Sequence, residues 1–402
     1  MRQHWNRAFN SPAARIALGL AIGQGAIFAS TPWLTRLYGP ESFGIMTVGL
    51  SIAGICATFG SLRVELLIPR LESEEVPNAT RLASLTLFIA AVIGAAVMLI
   101  TVQPGLVESL LVGTVAYFVG GAAVHQQSRI RFEKLGRIGL AKATQGVGQV
   151  LSQASLAMIL PTAAGLMAGL ATGHGLSYGL LRGRQQERAT AAAAFAFGRR
   201  HWRQMLRLTM AATLNAVTVA FLPLIIAVQF GNEETGQFAV VHRLAVVPVG
   251  LMVAALSPVI IAATSSLLRN NKSTLANVRS WIIRLSFIGV LAGTVLLIFP
   301  EQWTTMLLGE KFTAAHAYFA PLAPMIASQL VVGPLSALLA IFKRDRTQLV
   351  WDFCRFLTVT GTGIGLGAVS QDPIVTVWGI SVVITVFYVI YLVLLLRATR
   401  KS

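Results

Sequence analysis

The sequence predicts an all-α polytopic membrane protein with twelve transmembrane helices. Its 402 residues are 55% hydrophobic and only 12% charged, and its mean hydropathy is +0.70. Because soluble domains carry about a quarter charged residues, a chain so poor in charge is expected to be embedded in lipid. The net charge of +17 would suggest a nucleic-acid partner for a soluble protein, but basic cytoplasmic loops explain it in a membrane protein. Apolar windows and the positions of the cations give the helix count.

Apolar windows of about 20 residues are long enough to cross the hydrocarbon core as helices. In chain order the predicted spans cover residues 15–37, 43–66, 82–103, 105–127, 138–159, 161–181, 207–230, 236–267, 279–299, 317–342, 347–369 and 372–396. The first window follows the basic segment MRQHWNR, and no small-x-small cleavage site stands out after it. We therefore interpret it as an uncleaved first helix rather than a signal peptide.

The positions of lysine and arginine predict the orientation of the chain. When successive loops are assigned alternately to the two sides, all but three of the 32 cations fall on one side. The exceptions are Arg36, Arg243 and Lys311. By the positive-inside rule, the basic side and both termini are cytoplasmic. A miscounted span would mix the two sides, so this distribution also supports twelve helices.

An internal repeat divides the predicted helices into two sets of six. The segment YGPESFGIMTV at 38–48 aligns with FGNEETGQFAV at 230–240, an offset of 192 residues. Each copy joins the first two helices of its set, and two sets of six spans share one orientation, related by an axis along the membrane normal. We expect an N-terminal bundle over 1–182, a basic cytoplasmic linker over 183–206 and a C-terminal bundle over 207–402. The linker also has the composition of a helix on the inner membrane surface.

Arginines within or at the ends of the predicted helices are the first candidates for a substrate site. Arg36 ends the first span on the outer side, where it either anchors the helix to headgroups or lines an aqueous cavity that attracts anions. Arg243 is predicted to lie roughly 10 Å into the eighth span, a depth at which arginine faces water or a partner. Arg63 and Glu65, at the inner end of the second span, suit either a local ion pair or a cavity floor.

Uncharged polar residues form a second candidate set. Gln145, Gln149 and Gln153 recur every four residues and share one face of the fifth helix. Hydrogen bonds between helices and a hydrated lumen that contacts sugars both explain such a face. Gln24 in the first span and Asn215 in the seventh extend the predicted polar lining.

Few acidic residues are available for ion coupling within the membrane. Glu65 and Asp352 are the two candidates. Asp352 and Arg355 lie three residues apart on one helix face, so we expect them to neutralise each other.

The chain lacks the motifs of several enzyme and cofactor classes. It has no GxxxxGK[ST] loop, no HExxH motif and no paired cysteine motif, which argues against ATP hydrolysis by a P-loop and against a metal site. The predicted outer loops are too short to hold a catalytic domain. We therefore expect a protein without catalytic residues, cofactor, metal or nucleic-acid partner, and not an enzyme.

The stretch PWLTRLYGPESFGIMTVGLSIAGICATFGSLRVELLIPR, residues 32–70, resembles the polysaccharide-transporter branch of the MATE-like MOP superfamily, the Wzx-type flippases for O-antigen and capsule repeat units. A proline-bearing first helix, the LTRLYGPESFG turn and the SLRVELLIP ending carry the resemblance, although Val64 stands where the family often has an aromatic residue. Arg36, Arg63 and Glu65 correspond to this motif, whereas Arg243 rests on its depth alone.

The resemblance implies two six-helix bundles in a V around a central cation-lined cavity that opens alternately to each side. It also implies a substrate, a short oligosaccharide on undecaprenyl diphosphate, delivered across the bacterial inner membrane from the cytoplasmic to the outer leaflet. A glycan polymerase and a chain-length regulator are the implied partners.

Three alternatives remain open at this stage. The first is a multidrug exporter of the same fold, for which an acidic, aromatic lumen would be expected. The others are a membrane glycan polymerase or glycosyltransferase and a scaffold for glycan assembly that does not transport.

Overall fold

A computed structural model describes residues 12–132, 135–182, 189–270 and 272–399. Helices and turns make up these ranges, which contain no strand. We number the twelve long helices and write α7 and α8 for the two arms, 191–230 and 232–269, of the element Ala191–Arg269, which is interrupted at Gly231. The others are α1 Pro12–Leu37, α2 Pro40–Gly60, α3 Val76–Thr101, α4 Leu106–Arg131, α5 Gly136–Ala157, α6 Ala163–Leu181, α9 Leu275–Leu297, α10 Phe319–Val332, α11 Asp345–Ser370 and α12 Pro373–Thr399. The predicted all-α membrane fold is confirmed.

Most of the long helices have the length and apolar composition of membrane spans. Within the described ranges, eight elements meet both conditions, and one of them contains both α7 and α8. Helices α5, α6 and α11 are more polar, because they carry Lys142, His174, Asp352 and Arg355 among other polar residues. These three helices therefore carry polar side chains that could form a functional site.

Two of the predicted boundaries are wrong for local backbone reasons. Helix α2 ends at Gly60 rather than at residue 66, because Leu62 and Arg63 have φ values of 49° and 51°, and a left-handed backbone cannot continue a right-handed helix. A short helix, Val64–Leu67, follows this turn. The predicted tenth span breaks at Pro334, since proline has no N–H to donate, and α10 ends at Val332.

Both copies of the internal repeat lie where one long helix turns into the next. Gly39, between α1 and α2, has φ −82° and ψ 167°. Gly231, the aligned residue between α7 and α8, has φ 89° and ψ 176°. Both residues interrupt the helical backbone with an extended ψ, and the positive φ at Gly231 favours glycine there.

Contacts within the chain separate it into two units, Met1–Leu224 and Ile225–Ser402. The predicted bundles over 1–182 and 207–402, and their arrangement around a cavity, stay a prediction. Part of the predicted linker over 183–206 lies outside the described residues, and α7 begins within it at Ala191. Ala194, Phe197 and Met205 are buried in one apolar cluster with residues from the start of α3.

In the first unit, glycines allow α5 to pack very closely against α1 and α6. A Cβ atom on Gly146 would collide with the backbone of Gly23 in α1, and one on Gly173 would collide with the carbonyl oxygen of Gln145. Tyr38, fully buried at the end of α1, donates a hydrogen bond of 2.7 Å to the carbonyl of Gln153 in α5. These contacts hold α5 between its two neighbours and fix the direction of its polar face.

In the second unit, α12 is fastened to the helices around it by hydrogen bonds to backbone carbonyls. Trp351 Nε1 in α11 donates to the carbonyl of Phe387 at 2.9 Å. The hydroxyl of Tyr391 in α12 donates to the carbonyl of Ser336 at 2.8 Å, just after the break that follows α10. Both aromatic rings belong to the main apolar cluster of this unit.

We expect Gly146→Leu to destabilise the first unit, because the new side chain would meet the backbone of Gly23 rather than a flexible side chain. Overpacking of this kind costs about 1–3 kcal/mol or more. Gly25→Leu on α1 is the matched control, since a Cβ there has no neighbour within 4 Å. Thermal unfolding in detergent measures both variants. Equal midpoints for the two would show that the α1–α5 approach is not tight.

Candidate functional site

Arg36 lies in the last turn of α1 and its side chain is exposed. The helix end that carries it is held in place by Tyr38, two residues further on, through the hydrogen bond to α5. Exposure at a fixed helix end suits both interpretations of this residue, the headgroup anchor and the cavity cation.

Arg63 and Glu65 form a local ion pair, one of the two arrangements predicted for them; the other was a cavity floor. Arg63 Nη1 lies 3.0 Å from Glu65 Oε1, and the Ser61 hydroxyl donates to the same oxygen at 3.4 Å. Glu65 is buried, and burial raises its pKa, although the nearby Arg63 opposes the shift. Glu65 Oε2 has no hydrogen-bond partner among the described residues. The carboxyl group is thus buried with only one of its oxygens bonded.

The glutamine face of α5 is mostly a packing surface. Gln149 and Gln153 are buried, and Gln153 Nε2 donates to the carbonyl of Leu166 in α6 at 3.0 Å. This supports hydrogen bonding between helices for Gln153 and argues against contact of these two side chains with a sugar in this conformation. Gln145 and Gln24 are half-buried, and Asn215 on α7 is exposed; their role in binding stays a prediction.

Lys142 and His174 form a basic cluster that the sequence analysis missed. Lys142 follows the start of α5 by six residues, which is about 9 Å along the helix, and His174 on α6 is close enough to interact with it electrostatically. Gln145 Nε2 lies 3.5 Å from His174 Nε2. Within the described ranges, no ion pair joins Lys142 to a carboxylate. The available signal was the spacing, since Lys142 precedes Gln145 by three residues on the same helix face.

In the second unit, Arg243 lies in the interior of helix α8. This helix begins at residue 232 rather than 236, so Arg243 lies about 17 Å along it. The side chain is half-buried. No ion pair of Arg243 with a carboxylate occurs in the part of the chain that the structure describes.

Two acidic residues of the second unit, Glu234 and Asp352, have side-chain partners. Tyr318 donates to Oε2 of Glu234, in the first turn of α8, at 2.7 Å. Arg355 Nη2 lies 3.2 Å from Asp352 Oδ1, so the predicted neutralisation is confirmed. The Arg355 guanidinium also lies 4.6 Å from the centroid of Trp351. Neither carboxylate is paired with Arg243.

The described residues contain no cluster of three or more His, Cys, Asp or Glu side chains that could hold a metal ion. Apart from Arg36, the charged side chains considered above are of two kinds: paired ions near α2 and in α11, and cations in α5 and α8 without a described carboxylate. The second kind can attract an anion.

Comparison of the fold with solved structures identifies similar transporters. A structure of the lipid II flippase MurJ in an inward closed conformation has a TM-score of 0.72 at 12% identity, covering 95% of this chain and 86% of that one. An inward-facing multidrug resistance MATE family transporter of the MOP superfamily has a TM-score of 0.62 at 13% identity, covering 98% and 100%. A MOP superfamily transporter from Pyrococcus furiosus, described as having a binding pocket of reversed polarity, has a TM-score of 0.54 at 12% identity, covering 97% and 96%. These likenesses show the fold.

Sequence comparison gives the family. No curated protein matches the chain significantly. The model of a family described as "Polysaccharide biosynthesis protein" matches residues 33–317, which is more than half of the chain. The predicted resemblance to the polysaccharide-transporter branch of the MOP superfamily is therefore confirmed. The chain belongs to the polysaccharide biosynthesis protein family and has the fold of MOP-superfamily transporters.

Proposed function

We propose that this protein is a flippase that moves an oligosaccharide repeat unit on undecaprenyl diphosphate from the cytoplasmic to the periplasmic leaflet by alternating access. The glycan it serves is an O-antigen, a capsule or an exopolysaccharide, and its membrane is the bacterial inner membrane, with both termini cytoplasmic. The observation that carries the proposal is Arg243, a cation deep in a membrane helix with no described carboxylate beside it, in a chain of the polysaccharide biosynthesis family.

The diphosphate of the proposed substrate is an anion that these cations can bind. An arginine at the centre of a membrane helix costs about 2.5–3.5 kcal/mol on insertion scales. A diphosphate is a dense anion, and a guanidinium binds phosphate oxygens with two parallel hydrogen bonds. Arg243 in the second unit and Lys142 in the first each place a cation where a passing diphosphate would be stabilised. Arg36, at the outer end of α1, would attract the same group near the periplasmic side.

The membrane potential offers a driving force in this direction. In a cell that is negative inside, export of an anion is downhill by about 2.3 kcal/mol per charge per 100 mV. The candidate coupling carboxylates, Glu65 and Asp352, each form an ion pair with an arginine. We therefore assign the driving force to the potential first, with ion coupling through either carboxylate as a further hypothesis.

The charge distribution favours this function over a multidrug exporter. A lumen for cationic drugs needs unpaired acidic groups, whereas Glu234 and Asp352 accept hydrogen bonds from Tyr318 and Arg355. A glycan polymerase and a chain-length regulator would act on the product on the other side of the membrane, and we retain them as proposed partners.

The leaflet in which the substrate accumulates tests the proposal. Deletion of the protein is expected to trap single lipid-linked repeat units in the cytoplasmic leaflet, where a membrane-impermeant label does not reach them in intact spheroplasts. Loss of a polymerase would instead leave single units accessible from outside. Labelled single units outside the deletion strain would reject the flippase assignment.

We expect the double variant Arg36→Ala/Arg243→Ala to lower surface glycan roughly tenfold or more at an unchanged level of membrane-inserted protein, because a hydrogen bond to a charged group is worth about 1.5–3 kcal/mol. Lys311→Ala is the control, as Lys311 is another cation assigned to the outer side, exposed and outside the long helices. Quantitative staining of surface glycan and a membrane immunoblot measure the two quantities. Full glycan display in the double variant would show that neither arginine is needed for export, and would favour the headgroup-anchor interpretation of Arg36.

Lys142→Gln is expected to reduce glycan export, whereas Lys142→Arg, which keeps the charge, should retain most of it. His174→Gln is expected to have the smaller effect, because histidine is mostly neutral at pH 7. Export rate and thermal stability are measured on the same preparations. If the glutamine and arginine variants lose export equally, the role of Lys142 is packing rather than charge.

A further inference from the structure

The start of α7, residues 191–207, belongs to a helix that is longer than a membrane is thick; we call this part the linker helix. The backbone is helical from Ala191 to residue 230, which is about 60 Å, whereas the hydrocarbon core is about 30 Å thick. The Thr190 hydroxyl accepts a hydrogen bond of 3.2 Å from the backbone N–H of Ala193 and thereby caps the helix. The linker helix therefore has a defined beginning outside the core.

One face of the linker helix packs against the first two turns of α3. Ala194 and Phe197 are buried in one cluster with apolar residues of these turns. A Cβ atom on Gly198 would come within 3.2 Å of the Leu82 side chain. Because α3 begins at Val76, Leu82 lies about 9 Å from its start.

The exposed side chains of α3 show where the hydrocarbon core begins. Arg81 is exposed, whereas the exposed residues of the next turns, such as Phe88, Ile89 and Val92, are large and apolar. Helix α3 has 26 residues, or about 39 Å, so its ends extend beyond a core of about 30 Å. The boundary therefore lies between Arg81 and Phe88, and the linker helix packs at that level.

Ionic contacts fix the rotation of the linker helix about its axis. Arg200 Nη1 lies 3.0 Å from Glu75 Oε1, just before α3. His201 Nε2 lies 3.7 Å from the same oxygen, and the His201 ring centroid lies 4.5 Å from that of Phe197. Since these residues hold one side against the first unit, the residues on the other side are presented outward.

The outward side of the linker helix is apolar. Phe195, Trp202 and Leu206 are exposed, and their separations of seven and four residues place them on one side of the helix. A row of large apolar side chains is unfavourable in water, whereas aromatic residues are enriched where a bilayer meets water. This side therefore suits the boundary at which the linker helix lies.

Arginines follow one edge of the apolar side. Arg199, Arg203 and Arg207 recur every four residues and are exposed. The Arg203 guanidinium lies 5.7 Å from the centroid of the Trp202 ring, and Arg207 Nε donates to the Arg203 carbonyl at 3.2 Å. In the described part of the chain, no ion pair joins these three arginines to a carboxylate. Apolar side chains beside a row of arginines are typical of a helix that lies on an anionic lipid surface.

We propose that the linker helix binds the anionic surface of the cytoplasmic leaflet. Its outward apolar side chains enter the boundary between acyl chains and headgroups, and its arginines bind lipid phosphates. The first set is Phe195, Trp202 and Leu206, and the second set is Arg199, Arg203 and Arg207. Arg200 belongs to neither set because it pairs with Glu75. The contact rests on the proposed orientation of the chain and not on the substrate that the protein transports.

Spin labels on single cysteines in the full-length protein measure which side of the linker helix meets the membrane. With both native cysteines replaced by serine, labels at Phe195→Cys and Trp202→Cys are expected to be accessible to oxygen, which concentrates in the bilayer, and protected from a water-soluble nickel chelate. Ser73→Cys, exposed in the turn before α3, is the water-accessible control. Phe88→Cys on α3 is the lipid-accessible control. The protein is held in nanodiscs of phosphatidylglycerol or of phosphatidylcholine.

The role of the arginines is tested by the effect of lipid charge on the same measurement. We expect the Phe195→Cys label to be more fully inserted in phosphatidylglycerol than in phosphatidylcholine, and the difference to shrink at high salt because salt screens the attraction. Arg199→Gln and Arg203→Gln should each lower the ratio of inserted to water-exposed label in phosphatidylglycerol roughly fivefold, the contribution of one basic residue near an anionic surface. Arg70→Gln, an exposed arginine outside the linker helix, should leave the ratio unchanged.

Three results would overturn the proposal. Nickel accessibility at Phe195 and Trp202 equal to that at Ser73 would show that this side of the helix meets water. Protection of both labels from oxygen as well as from nickel would show that protein, rather than lipid, covers them. Equal insertion in the two lipids, unaffected by the arginine variants, would show that lipid charge is not recognised. None of these readouts requires transport, so a failure here leaves the flippase function open, and a failure of that function leaves this contact intact.

Discussion

A cation inside the hydrocarbon core needs an anion or water, and this requirement explains the arrangement of polar groups in the protein. Arg243 lies within an element long and apolar enough to span a membrane, and Lys142 lies within the more polar helix α5. Neither has a carboxylate bonded to it in the described ranges. The carboxylates that could have neutralised them form other bonds, Glu65 and Asp352 with arginines and Glu234 with a tyrosine. Because an uncompensated charge at this depth costs several kcal/mol, its retention is more easily explained by an anionic ligand than by stability.

Close packing around α5 determines where the Lys142 charge is presented. Glycine contacts bring the backbones of α1 and α6 against α5, and small residues allow such approach between membrane helices. Gln149 and Gln153 are buried, and Gln153 bonds α6. The two polar residues nearer the start of α5, Lys142 and Gln145, are half-buried. One helix face therefore serves two purposes, packing along most of its length and polar chemistry at one end.

The sequence predicts the helices well because membrane thickness sets their length, but it does not predict how each helix ends. The predicted second span runs six residues past the observed helix end, because a left-handed backbone at Leu62 and Arg63 follows from no composition rule. The predicted tenth span continues through Pro334, whose missing N–H breaks the helix. The eighth helix begins four residues before the predicted span, directly after Gly231, because the polar residues between them fall outside the apolar window.

The sequence predicts only part of the candidate site. When lysines and arginines are assigned to one or the other side of the membrane, every cation near a loop is treated as a loop residue. That rule assigns Lys142 to a cytoplasmic loop, whereas the residue lies inside α5, three residues before Gln145, which contacts His174. Conversely, the regular spacing of the α5 glutamines suggested a sugar-binding face. Spacing identifies which residues share a face, but burial, as at Gln153, decides what that face contacts.

The internal repeat preserves the turn between the first two helices of each set but not the polar chemistry. Gly39 and Gly231 both interrupt the helix at the aligned position. The seventh residue of α5 is Lys142, whereas the seventh residue of α11 is Trp351, followed by the Asp352–Arg355 ion pair. In the second unit the uncompensated cation is instead Arg243 on α8. Had the cations served only to orient the chain, both halves would be expected to carry them at inner helix ends. Their placement on different helices of the two units fits the anionic substrate that we propose.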